Sequence, residues 1–179
     1  MTTSYRIPKR RYFGQAMQAP MSSMRMQWKN RDEILAKQGY TGRSILGIKV
    51  PYWQRSNDKW SLAQKVAFIN SIFAGATIGT YMVNTTPAND DLDQILLDGL
   101  QRLSAVQEYW EGKFAVPGED GQPYFWADLT PGEQAHFDRI PFPWIDTNYS
   151  TEADCIDAYN RHNFGGIAHD ESERAVARS

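Results

Sequence analysis

Ile95-Leu96-Leu97-Asp98-Gly99-Leu100-Gln101-Arg102-Leu103 is the stretch on which the fold turns. An apolar run of strand length passes straight through a glycine to Leu100, Leu103, Val106 and Trp110, whose three-to-four spacing marks one face of a helix. A helix that starts where a strand ends has to lay its apolar face on the sheet it came from. The same corner concentrates polar chemistry. An acid, a glycine, an amide and a guanidinium stand where the first turn of a helix leaves N–H groups unpaired and carries partial positive charge. Phosphate is the natural ligand of such a corner, although Asp and Gly also serve turns and Arg also serves solvation, so the pentapeptide alone decides nothing.

Outward from this corner, Ser44 to Val50 alternates as a strand would, and Pro51 ends it. Ser61 caps a helix with Leu62, Val66, Ile69 and Phe73 on one face and Gly75 at its close. Ile78 to Val83 and Gln94 to Leu97 are predicted strands, with Asn84 to Asp93 as an exposed connection. After the helix from Gly99, Pro117-Gly118-Glu119-Asp120-Gly121 separates two short runs as a hairpin does. Thr130, Pro131 and Glu133 open another helix by cap, proline and capping-box acid. Pro141 to Ile145 is predicted to be extended. Ser150 or Thr151 caps a helix to about Asn160 with Ala153, Ile156 and Tyr159 on its face, and a terminal helix is expected near Asp170. Residues 1 to about 27 show no period and carry Pro8 and Pro20, which predicts an irregular arm, followed by a short helix from Asn30 to Gln38. The pattern predicts an α+β (mixed α/β) fold: a small mixed sheet packed with helices, residues 44–179 forming the domain and residues 1–43 a basic arm with its short helix.

The chain of 179 residues is 41% hydrophobic and 13% aromatic, which suits a folded domain and not a disordered segment. No apolar run is long enough to span a bilayer and no secretory signal is visible, so no membrane partner and a cytoplasmic location are expected. Cys155 is the single cysteine, which excludes an intrachain disulfide, and its apolar neighbours predict a buried thiol with no catalytic role. The net charge of -2 hides an asymmetry: nine basic residues against Asp32 and Glu33 through residue 43, hence +7, and -9 over the rest. Arg6, Lys9, Arg10, Arg11, Arg25 and Lys29, interleaved with Tyr5, Tyr12, Phe13 and Trp28, have the composition that holds nucleic-acid phosphates and stacks on bases. The competing reading is that these cations pack on the acidic body of the chain itself or of a second copy.

Neither a Gly-x-Gly-x-x-Gly stretch nor a Walker lysine motif is present, so the phosphate loops of the doubly wound nucleotide folds are absent. A second Gln-Arg pair does occur, in Val50-Pro51-Tyr52-Trp53-Gln54-Arg55, after a strand and before a helix. Arg55 suits phosphate through its planar fork, and it suits a salt bridge with Asp58 equally well.

These segments in this order, with Trp60, Phe68-Ile69-Asn70-Ser71-Ile72-Phe73-Ala74-Gly75, Ile78-Gly79 and the closing Tyr159-Asn160-Arg161-His162-Asn163-Phe164-Gly165-Gly166 followed by Glu171 and Ala175, resemble the ParB/sulfiredoxin superfamily over roughly residues 45–176. The branch most resembled is the N-terminal domain of GmrSD-type restriction enzymes, whose hallmark reads Asp-Gly-Gln-Gln-Arg. The resemblance implies a nucleotide-binding protein that couples NTP hydrolysis, and in some members DNA nicking, to action on modified or invading DNA. By resemblance, Asp98, Gln101 and Arg102 are the catalytic residues, Gln54, Arg55, Gly99 and Arg102 hold nucleotide phosphate, and Asp98 holds a divalent metal, Mg or Mn, with an NTP. The partners implied are DNA and nucleotide, with a second copy or a restriction-system protein as further partners. Leu100 departs from the hallmark by replacing its first Gln, a change that bears on hydrolysis more than on binding. The sulfiredoxin cysteine motif is missing, and no His-Asn-His nuclease segment lies within this sequence. Two other readings stand beside the enzyme: a DNA- or partner-binding module that regulates a restriction-type system, and a structural assembly protein.

The histidines have weaker claims. His136 falls on a predicted amphipathic helix, and His162 and His169 flank Gly165-Gly166, within approach of the anion corner. A metal set from His162, His169 and Asp170 is a rarer outcome than surface histidines, and Asp90, Asp91 and Asp93 read as a solvated loop before they read as a cation site.

Overall fold

The computed structural model describes Ile7 and residues 11–164, and its architecture is the mixed α+β one. In chain order, β1 (Gly14–Pro20) runs into α1 (Met21–Lys37), β2 (Arg43–Ile45) and β3 (Ile48–Val50) form a hairpin, and α2 (Leu62–Phe73) precedes β4 (Tyr81–Asn84) and β5 (Ile95–Asp98). Next come α3 (Leu100–Trp110), the small pair β6 (Val116–Pro117) and β7 (Pro123–Tyr124), α4 (Pro131–Arg139), β8 (Pro141–Thr147) and α5 (Glu152–Phe164). Six strands make one mixed sheet in the order β1-β8-β4-β5-β3-β2. Within it β8 is parallel to β4, and β5 is parallel to β3.

The run Ile95-Leu96-Leu97 is apolar without alternation because both faces of the sheet are covered at β5. Leu96 turns toward the cluster that contains Met21 and Met24 of α1, Ile69 and Ile72 of α2, Leu103 and Val106 of α3 and Phe137 of α4. Ile95 and Leu97 turn the other way, toward Trp53 and the Cys155, Ile156 and Tyr159 side of α5. All three are nearly inaccessible to solvent. Cys155 is free and buried as expected, and burial pushes its thiol up to about 12, which leaves it without nucleophilic character at neutral pH.

Helix starts are where the sequence reads most directly. Ser61 and Thr130 each accept from the backbone N–H three residues on and donate their own backbone N–H to the Gln64 or Glu133 side chain, so both caps are complete boxes. Thr151 Oγ1 accepts from the Asp154 N–H and starts α5. The face of α5 differs by a step: Ala153 is exposed, and Cys155 with Ile156 and Tyr159 is buried.

Several local expectations are corrected. The N-terminal segment is not irregular through residue 27: β1 pairs antiparallel with the whole of β8, and α1 starts at Met21 and contains the predicted 30–38 helix as its second half. Pro20 sits before the first helical residue, where its missing N–H costs the helix nothing, so it starts α1 where the sequence reading has it interrupt. Ser44 to Val50 is not one strand. Leu46 and Gly47 take positive φ (50° and 73°) as the two-residue turn of a hairpin, and the Gln107 side chain of α3 accepts the Leu46 N–H at 2.8 Å. The strand predicted from Ile78 begins at Tyr81. The 84–93 connection is buried in part: the Asn84 side chain donates to the carbonyls of Leu92 and Tyr149 and accepts the Tyr149 N–H. The terminal helix near Asp170 lies outside the described residues.

Candidate functional site

The end of β5, an interior strand, and the start of α3 fall at one end of the sheet, and three separate segments meet there. Gln54 and Arg55, Trp60, Asp98 through Arg102, and Tyr159 with Asn163 of α5 line one cleft with a cavity volume of about 70 Å³. That space holds a few waters or one tetrahedral anion, not a whole nucleotide. The two Gln-Arg pairs and the closing segment of the sequence therefore converge.

Gly99 is required at its place. Its φ is +98°, and a β-carbon there would lie 2.4 Å from Cβ of Tyr81. The positive φ reverses the chain between β5 and α3, and Gly99, Leu100, Gln101 and Arg102 all line the cleft wall. Leu100 itself is buried, and its side chain belongs to the core cluster, so this position serves packing.

Asp98 carries the electrostatics. Its Oδ2 accepts from Arg102 at 2.6 Å and lies 3.3 Å from Nε2 of His162 on α5. Burial alone would raise the Asp98 carboxyl, but the His162 hydrogen bond, Arg102 and the Gly99 N–H outweigh it and hold the group at about 2. The reciprocal effect raises His162: its bond to Asp98 favours the imidazolium against the opposing pull of burial and of Arg102. Arg55 lines the same cleft, so two guanidinium side chains and one carboxylate share its wall.

Arg102 is anchored by its own helix end and by the sheet, donating to Asp98 and to the Thr80 carbonyl, while its Nε is buried without a partner among the described residues. Gln54 is 5% exposed; its Nε2 donates to the Leu96 carbonyl at 3.1 Å, and its Oε1 has no partner among the described residues. Two residues of the cleft wall thus each keep one buried polar atom without a partner among the described residues.

Gln101 is placed differently from a group that orients a nucleophile. Its Oε1 accepts the Trp60 N–H at 3.2 Å and its Nε2 donates to the Ser56 carbonyl at 3.0 Å. Both amide atoms fasten the loop between β3 and α2, which carries Gln54 and Arg55. Arg43 grips the same loop from its other side, donating to the carbonyls of Pro51, Gln54 and Arg55. Nothing in the sequence singles out Arg43, because its role depends on the hairpin that sets it opposite Val50, next to Pro51. The sequence puts His162 near the corner, but its pairing with Asp98 depends on where α5 packs.

Of the residues expected to bind DNA, Arg6, Lys9 and Arg10 lie outside the described residues. Arg11 and Lys29 are exposed. Arg25 is not available in the same sense: it pairs with Asp138 at 2.5 Å and stacks 4.9 Å over the Trp126 ring. His169 and Asp170 are also outside the described residues, and His136 meets the Phe73 carbonyl far from the cleft. Asp93 accepts the Thr86 N–H and thereby orders its loop.

Among the described residues, Asp98 has no further protein ligands beside it to hold a divalent metal by side chains alone. The Asp98 oxygen facing its neighbours is already engaged by two cationic groups, and no cluster of three His, Cys, Asp or Glu side chains occurs among the described residues. No helix among the described residues is long and apolar enough to cross a membrane.

Compared with known proteins, the chain matches no protein-family model, no curated protein and no solved structure.

Proposed function

We propose that this cleft receives the phosphate end of a nucleotide, in a ParB-like protein that acts on DNA or in restriction-type, phage-related immunity. The observation that carries the reading is the convergence of Gln54-Arg55 with Asp98-Gly99-Leu100-Gln101-Arg102 on one cavity of phosphate size, lined by two guanidinium side chains and one carboxylate. Arg55 and Arg102 neutralise the anion, the first turn of α3 offers N–H groups, and any divalent ion arrives with the nucleotide's phosphates. Phosphate-ester hydrolysis is the chemistry this reading carries. Water would form the new P–O bond as the leaving P–O bond breaks, its proton passing to the departing oxygen, while Arg55 and Arg102 would stabilise charge on the transferring phosphoryl group.

A second reading, a binding module that regulates a restriction-type system without turnover, draws on a specific observation. Gln101 has both amide atoms committed to the loop, and Asp98 at about 2 is too weak a base to activate water. One experiment separates the two. Calorimetry with each NTP in magnesium, on the wild type and on Arg55→Ala and Arg102→Ala variants of unchanged fold, tests the site; affinity unchanged in both variants refutes it. Release of phosphate from the NTPs, or nicking of supercoiled plasmid, distinguishes enzyme from binder.

A further inference from the structure

A second cavity lies on the face of the sheet covered by α1. Alternate residues of β4 and β8 share one face of a sheet, and here Tyr81 and Val83 with Trp144 and Asp146 form its floor, while Gln27 and Arg31 of α1 form its roof; its volume is about 280 Å³. Tyr81 and Trp144 stack with centroids 5.8 Å apart and planes 20° from parallel.

Two charged groups of opposite sign are left over in this space. Asp146 Oδ1 is buried and has no partner among the described residues. Arg31 is partly buried, has no hydrogen bond or ion pair to a described residue, and has Tyr81 as its electrostatic neighbour; burial lowers its guanidinium from the ordinary value. Asp146 and Arg31 both line the cavity without bonding each other, and a carboxylate and a guanidinium left so cost free energy unless something between them bonds both. The occupant has to offer an N–H to Asp146 and an acceptor to Arg31, and to be flat enough to lie along the Tyr81 and Trp144 rings.

We propose that this cavity binds a nucleobase that presents a ring N–H beside a carbonyl, the guanine-like edge, with Asp146 accepting the N–H and Arg31 donating to the carbonyl. Carboxylates accept from base N–H groups, arginine donates to purine acceptors, and aromatic side chains stack on bases. The inference stands apart from the phosphate cleft, because a nucleoside carries no phosphate.

The test uses guanosine, inosine and adenosine, with free glycine and glutamate as zwitterion controls, titrated into the full chain and followed by NMR shifts of the tryptophan indoles. Guanosine and inosine are expected to bind saturably, and Asp146→Ala and Arg31→Met are each expected to weaken them at least tenfold, while Arg102→Ala leaves them within twofold. Melting curves establish that each variant folds, and Asp146→Asn, which keeps the shape, serves if Asp146→Ala does not. Failure of guanosine to bind the wild type, binding indifferent to both cavity substitutions, a preference for adenosine, or uptake of the amino acids in place of nucleosides would each overturn the assignment.

Discussion

His162 Nε2 on α5 lies 3.3 Å from Asp98 Oδ2 at the end of β5, so one weak bond ties the last described helix to the strand-to-helix corner. The pair has two pH windows of opposite sign. Asp98 is held at about 2 in the fold, so its contribution, on the order of 2 kcal/mol, is complete above pH ~4 and is lost as pH falls toward 2. His162 is raised, so its contribution is complete below the unfolded value of about 6.5 and is lost as pH rises through the higher folded value. NMR titration of the His162 ring should report that raised value, and Asp98→Asn should return it toward the ordinary one. An unshifted ring in the wild type would contradict the pairing. Phosphate affinity should weaken across the same alkaline window.

Gln101 is a positioning residue in this arrangement, and its removal should act through the loop. Gln101→Ala leaves the Trp60 N–H and the Ser56 carbonyl without partners, at a cost of about 1–3 kcal/mol. Denaturant unfolding should show that loss. Phosphate affinity should fall at the same time, because Gln54 and Arg55 ride on the loosened segment; a stability loss with affinity retained would separate loop from site.

Gly99→Ala is expected to be more damaging than its size suggests. The new methyl meets Tyr81 Cβ at 2.4 Å and the backbone is held at a positive φ, together worth about 3 kcal/mol. Thermal melting checks this. By contrast Gly75, with open space around it, should tolerate alanine with only the cost of its own positive φ.

The corner itself was legible because three signals coincide in the sixteen residues from Ile95 to Trp110: an unbroken apolar strand, a glycine, and helical spacing from Leu100 onward. Capping boxes at Ser61 and Thr130 were legible for the same reason, since the cap and its acid or amide lie three residues apart in sequence. What the sequence hid was long-range. Nothing local tells that Gly14–Pro20, rich in Gln and Met, finds its partner in β8 more than a hundred residues on, or that His162 meets Asp98. The Leu46-Gly47 turn was hidden by chemistry: a buried leucine at positive φ is a rare turn residue, and Gln107 holds it from α3. Gln101 illustrates a different limit, for its place in the motif was readable while the bonds its amide makes were not.

Where the chain is cut to test DNA binding matters, because the basic residues and the fold overlap. Removing residues 1–10 takes Arg6, Lys9 and Arg10 and leaves every element of the described residues in place, so the fold is expected to survive with melting nearly unchanged. If those residues hold DNA, affinity should drop and the slope of log affinity against log salt should shallow by about one for each phosphate no longer neutralised. Removing residues 1–28 also takes β1, Arg25 with its Asp138 bond, and the buried Met21 and Met24. Each methionine is worth about 2–5 kcal/mol in the core, which together with the missing strand matches or exceeds the whole stability of a typical domain, so the longer deletion should unfold. Within the fold, Arg25→Ala should lower melting with the salt slope unchanged, and Lys29→Ala should leave melting alone. A salt slope that follows Arg25 and ignores the first ten residues would reverse this division between structural and nucleic-acid-facing cations.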